Sequence, residues 1–352
     1  MELKANSGIS SPGVKLHGSG FIVTPDKAKE LGLGVIPGLE NHIKPYRNGR
    51  DIAAKSRDVM VIDLYGLSIE EVKKRYPAVY QHLVDNVKPE RDKNRNQSIR
   101  EHWWLFGGAR STFRPALDGL KRYIVTPETA RRRYFVFLDT AIMPDGMLIA
   151  IASDDAYLLG VLSSKIHVDW VLATGAKLGA GNDPRYTKTL CFDKFPFPDA
   201  TDEQKESIRA IAEKIDAHRK ARQAEHPKLT MTDMYAVLED MRYGVHLNAN
   251  KEKISLEGDL PTLFELHKEL DAAVADAYGW PVDLPTDELL TKLLDLNHER
   301  AEQEKQGRIL WLRPDFQTIR HGVETSHLET NAGGRFRSWL TAMNDLLSPS
   351  VH

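Results

Sequence analysis

The chain has 352 residues, 41% of them hydrophobic and 28% charged, a composition that suits a folded protein large enough for two cores. Its net charge of −2 hides an asymmetry: residues 40–135 carry 20 Lys/Arg against 12 Asp/Glu, and residues 199–305 carry 14 against 24. There is no apolar run near the roughly 18 residues of a membrane helix, no leader of charged-then-apolar type, and only one cysteine, so membrane, secreted and disulfide classes are not expected.

In chain order, residues 1–40 form a lead-in, Ser/Gly/Pro-rich as far as Gly20 and followed by a short strand at Phe21-Ile22-Val23. Thr24 then caps a helix with Pro25 at its first position, ended by Gly32 and Gly34. Asp58 to Leu64 reads as a central strand. Ser68 with Glu71 makes a capping box, and Val72, Tyr76, Val79, Tyr80, Leu83 and Val87 follow at helical spacing. Strands are expected at 122–126, 134–138 and 147–152, with a helix over 154–166 packed on them. From Thr201 onward the periodicity is helical, with stripes around Ile208–Ile215, Met234–Met241, Leu263–Tyr278 and Leu289–Leu294. The phrase Phe195-Pro196-Phe197-Pro198 marks the change. The expected fold class is therefore α+β: a mixed α/β domain at 41–198, an all-helical domain at 199–310, and a tail at 311–352.

Several catalytic patterns are tested by what they need. Gly32, Gly34 and Gly38 follow a helix, whereas a cofactor phosphate loop must open one after a strand. Asp63, Glu71 and Lys73 have the spacing of a metal nuclease, but Glu71 and Lys73 fall in the first turns of a capped helix. No pair of His or Cys has zinc-ligand spacing, and Cys191, between Leu190 and Phe192, reads as a small buried filler. No catalytic residue, metal site or cofactor of its own is expected.

The basic block is more informative. Lys44-Pro45-Tyr46-Arg47-Asn48-Gly49-Arg50-Asp51 places two arginines around an Asn-Gly turn, where both guanidinium groups would face outward. Arg110 and Arg114 follow Trp103, Trp104 and Phe106. Arg131, Arg132 and Arg133 lie between two expected strands, and Lys177, Arg185, Tyr186 and Lys188 flank the glycine-rich stretch 175–181. A solvated face explains any one cluster; four within one domain favour a polyanion surface.

These segments resemble the target-recognition region of MmeI-type methyltransferases, the single-chain type IIG restriction-modification enzymes, and are similar to related methyltransferases of DISARM-like phage defence. The phrases that carry the resemblance run from Gly13–Pro25 through Ile43–Ile52, Val59–Leu64, Val87–Arg91, Trp103-Trp104 and Arg122–Thr129. They continue through Leu159–Trp170, Asp183–Phe192 and Phe195–Pro198 to Gly307–Gln317. The resemblance implies sequence-specific recognition of double-stranded DNA within an N6-adenine DNA methyltransferase. In that family the S-adenosylmethionine loop and an Asn-Pro-Pro-Tyr box lie upstream, and neither is written in this sequence. The chain is thus expected not to methylate alone, but to partner a methyltransferase domain or subunit in a bacterial cytoplasm. It further implies framework or phosphate-backbone roles for Tyr46, Arg47, Arg50, Arg185 and Tyr186, with Arg110, Arg114, Arg131, Arg132 and Arg133 facing a groove. A protein-docking or decayed remnant module of a defence complex is the alternative.

Overall fold

A computed structural model of the chain describes residues 1–178 and 183–322. Met1–Arg313 form one compact unit, and Pro314–His352 a second, in which one helix, Pro314–Arg320, lies among the described residues. The tail from 323 onward and residues 179–182 of the glycine-rich stretch lie outside them.

Eight short strands build two antiparallel-rich sheets: β1 (Ser10–Pro12), β2 (Ile22–Val23), β3 (Ile43–Arg47), β4 (Met60–Ile62), β5 (Arg122–Pro127), β6 (Val136–Asp139), β7 (Met143–Pro144) and β8 (Leu148–Ile151). One sheet runs β1-β8-β5-β6 and is dense in β-branched and aromatic residues; Ile124, Val125, Leu148 and Ile151 are fully buried in it. The other runs β2-β4-β3-β7, with β7 joining β3 in parallel through Tyr46 opposite Met143. Only residues 145–147 separate β7 from β8, so this tight turn joins the two sheets. Gly13 lies against it: a Cβ there would stand 2.3 Å from the carbonyl oxygens of Pro144 and Asp145, so no side chain fits.

The strands expected at 122–126, 134–138 and 147–152 are present as β5, β6 and β8. β3 differs from expectation, because a strand carries Lys44, Pro45 and Tyr46 where a turn was expected. Pro45 leaves the ladder one donor short but keeps Tyr46 N–H, which donates to Val59 O at 3.0 Å.

Helices follow their caps. α1 (Pro25–Glu30) starts at Thr24, and α2 (Gly49–Ala53) starts at Asn48. The long helix expected after Ser68 has its capping box but divides at Pro77 into α3 (Ile69–Arg75) and α4 (Pro77–Asn86), since proline cannot donate back to the preceding turn. The short helices α5 (Lys88–Arg91) and α6 (Gln97–Glu101) complete this side. The helix expected over 154–166 is also two: α7 (Ala156–Ser163) ends where Ser164 turns extended and accepts from His167 N to cap α8 (Lys165–Thr174).

Past a short hairpin, β9 (Ala176–Leu178) with β10 (Asp183–Arg185), the chain is helical: α9 (Asp202–Glu225), α10 (Met231–Arg242), α11 (Ala249–Gly258), α12 (Leu260–Tyr278) and α13 (Thr286–Lys305). α9 packs against both α7 and α12, and Ile208, Ala212, Leu263 and Leu270 are buried there. Phe195 and Phe197 are buried too, so the Pro-rich phrase is packed into the body and does not form an exposed connection. The mixed and helical stretches thus share hydrophobic contacts. No described helix is long and apolar enough to cross a membrane.

Candidate nucleic-acid interface

The β3–α2 corner is built by local chemistry. Asn48 Oδ1 accepts from Asp51 N–H at 3.0 Å, and Asp51 Oδ2 accepts from Asn48 N–H at 2.9 Å, a reciprocal cap. Asp51 is buried, and Arg57 clasps it with two hydrogen bonds of 2.9 and 2.8 Å. Burial works to raise the Asp51 pKa, but those bonds and the backbone donors outweigh it and hold the carboxyl below its usual range. The expected Asn-Gly turn is therefore corrected to a strand end running into a capped helix. Of its cations, Arg50 is exposed on α2 and Lys44 is half-buried, and neither has an ion pair. Arg47 lies between them in burial and binds Asp58 at 3.2 Å. Tyr46 is buried, with its hydroxyl donating to Asp145, so it is framework and not contact surface.

The loop following β5 separates three consecutive arginines into three roles. Arg131 is exposed and unpaired. Arg132 reaches α10, where its Nε donates to Glu239 at 2.7 Å. Arg133 is buried: Nη1 donates to Thr126 Oγ1 at 2.9 Å and to Pro127 O, and Nη2 donates to Pro184 O at 3.1 Å. Burial lowers its pKa, and the guanidinium lies 5.3 Å from the Tyr186 ring centroid. The expectation that all three face a groove is corrected: Arg133 ties the end of β5 to β10, and Arg132 ties the loop to the helical part. A consecutive triplet in an irregular segment has no periodicity, so nothing in the sequence ordered these roles.

β10 completes the same region. Thr129 bridges Arg185 in the backbone, and Arg185 Nε donates to the Glu128 carboxylate at 2.6 Å. Tyr186 is fully buried, its hydroxyl 3.2 Å from His167 Nε2, which corrects its place among DNA-contacting residues to a framework one. Lys188 is likewise engaged, in an ion pair with Asp193. Lys177 belongs to β9, and its side chain lies outside the described residues.

Three elements thus meet around the end of β5. A Cβ on Gly49, the first residue of α2, would lie 3.5 Å from Pro127 Cβ, and Glu128 N–H donates to Met147 O at 2.8 Å. Thr232 of α10 donates to Ala53 O at 3.1 Å, which anchors α2 from the other side. The exposed residues here are Arg50, Arg131 and Met147, together with Lys55, an unpaired exposed cation just past α2. Lys55 was missed because a single lysine after a short helix carries no pattern.

Arg110 and Arg114 lie elsewhere. Arg110 has a left-handed backbone (φ 57) and donates from Nε to Gly13 O at 2.8 Å. Arg114 gives Nε to Ala109 O and both terminal groups to Asp63 at 2.6 and 3.0 Å, over the Tyr65 ring. Its expected groove-facing role is corrected, since every donor group is already used inside. Asp63 is thereby occupied and Glu71 caps its own helix, so these two do not share a metal. No cluster of His, Cys, Asp or Glu fit for a metal occurs among the described residues. Gly32, Gly34 and Gly38 lie past α1 in left-handed conformations that reverse the chain, and they do not open a helix toward a cofactor such as S-adenosylmethionine.

The fold and the basic corner define an α+β module that presents cations around one strand end. The sequence model of the family described as "MmeI, target recognition domain" matches residues 13–199, more than half of the chain, and the chain belongs to that family. It is 26% identical over 196 residues to DNA methyltransferase A of Bacillus subtilis (strain 168), a match over 54% of this chain and 19% of that protein. It superposes with a TM-score of 0.64 at 17% identity on a structure of the type IIL restriction-modification enzyme MmeI in complex with DNA, over 86% of this chain and 37% of that one. The chain therefore spans well under half the length of both proteins.

Proposed function

We propose that this chain recognises a specific sequence of double-stranded DNA as the specificity part of a restriction-modification or phage-defence N6-adenine DNA methyltransferase. The target-recognition match over residues 13–199 carries this reading. In it, Arg50, Lys55 and Lys44 meet phosphates, which makes affinity salt-dependent, and Arg131 reads a base edge, a guanine pair being worth about 1–3 kcal/mol of discrimination. Arg132, Arg133 and Arg185 hold the loop that presents Arg131. The methyl donor, S-adenosylmethionine, and base extrusion belong to a methyltransferase domain or subunit that partners this one in the bacterial cytoplasm.

The test is selection from a randomised duplex pool, followed by fluorescence anisotropy across a salt series. The expected outcome is one enriched motif, affinity that falls as salt rises, and an Arg131→Ala chain that relaxes one position of the motif. A glutamate placed on the solvent face of α9 should change nothing. Absence of salt-dependent binding would instead support a protein-docking module.

A further inference from the structure

The junction of the two sheets encloses a cleft of about 410 Å³, within the ordinary range for small-molecule sites. Three cations line it, Lys44, Arg110 and Arg114, and one carboxylate, Asp118. Arg114 is neutralised by Asp63, but Lys44 has no ion pair and the two terminal amino groups of Arg110 have no hydrogen bond among the described residues. Arg110 reaches this position from a left-handed backbone, which costs an arginine about 1–3 kcal/mol and is retained where the surroundings hold it. Phe113 and Ile142 add apolar wall.

The cleft thus combines a free guanidinium fork and a free ammonium with an aromatic wall and an acceptor-only carboxylate. A phosphate suits the first pair, a planar ring suits the wall, and ring or sugar N–H and O–H donors suit Asp118. We propose that this cleft binds a single nucleotide, with its phosphate on Lys44 and Arg110 and its base between Phe113 and Asp118. The proposal does not depend on duplex recognition, because Arg50 and Arg131 do not line the cleft. The nucleotide comes either from solution or from a DNA strand as an extrahelical unit.

Isothermal titration of the full chain with each of the four nucleoside monophosphates, and with inorganic phosphate, tests the soluble source. A duplex carrying 2-aminopurine opposite an abasic position tests the strand source through a rise in fluorescence. Saturable binding of at least one nucleotide, tighter than phosphate, or a fluorescence rise on the duplex, is expected. Lys44→Ala and Arg110→Asn should each weaken that signal at least tenfold; asparagine tolerates the left-handed backbone, and circular dichroism checks that both variants fold. An Arg131→Ala chain that no longer selects duplex should still bind the nucleotide, so the two readings fail separately. No signal in either arm, phosphate binding as tightly as every nucleotide, or variants that bind like the parent chain would overturn the proposal.

Discussion

Arg131 and Arg133 are two positions apart and differ in kind. Arg131 is exposed, and its loss should cost specificity with little change in stability. Arg133 is buried on carbonyls and Thr126 Oγ1, so Arg133→Ala should lower the urea midpoint by the equivalent of about 2–4 kcal/mol, because the Pro127 and Pro184 carbonyls lose their donors. A loss of stability from Arg131→Ala equal to that from Arg133→Ala would contradict this assignment. Asp51 gives a prediction in pH. Its folded pKa lies below the unfolded value, so its contribution is complete above the ordinary aspartate pKa, about 3.9, and is lost as pH falls through the lower folded value. Asp51→Asn should therefore be less stable near neutrality and show a shallower acid transition, followed by circular dichroism.

At the scale of elements, caps were the legible part of the sequence. Thr24, Ser68 with Glu71, and the change of period after Pro198 all announce helices, because capping is a contact between residues three apart. Lys44–Asp51 misled for the same reason: Asn-Gly is a turn signal locally, and only the pairing of Ile43–Pro45 with β4 makes it a strand followed by a cap. Helix packing was not readable at all. Gly160 in α7 would place a Cβ 2.6 Å from Ile208 Cγ2 and 3.2 Å from Leu270 Cδ1, so its lack of a side chain lets α7 meet α9 and α12. Gly160→Ala should destabilise by about 1–3 kcal/mol despite alanine's better helix propensity, measured as a fall in Tm. A rise in Tm would show that these helices can separate at little cost.

Across the whole molecule, two buried histidines make stability depend on pH. Burial, and beside it the Arg133 charge, holds His167 down at about 3; burial, with Arg219 and Arg242, holds His267 there as well. Both pKa values are depressed from 6.5, so the folded state keeps them neutral while the unfolded chain takes up protons. Their contribution is complete above about pH 6.5 and is lost as pH falls, at up to about 1.4 kcal/mol per pH unit for each histidine. Denaturant midpoints at pH 7.5, 6 and 5 should decline, and His167→Gln with His267→Gln should flatten the decline. A pH-independent midpoint would mean that neither ring is buried neutral. Charge segregation was written in composition alone, with the basic block at 40–135 and the acidic one at 199–305. So were the main strands, most caps and the order of family phrases, since each depends on neighbours within a few residues. Which arginine is free was decided only by tertiary structure. Asp63, Glu128 and Glu239 come from distant segments to occupy Arg114, Arg185 and Arg132, and they leave Arg50 and Arg131 to face solvent. A charge count sees every cation equally; the fold decides by desolvation and pairing which of them remain available to a partner.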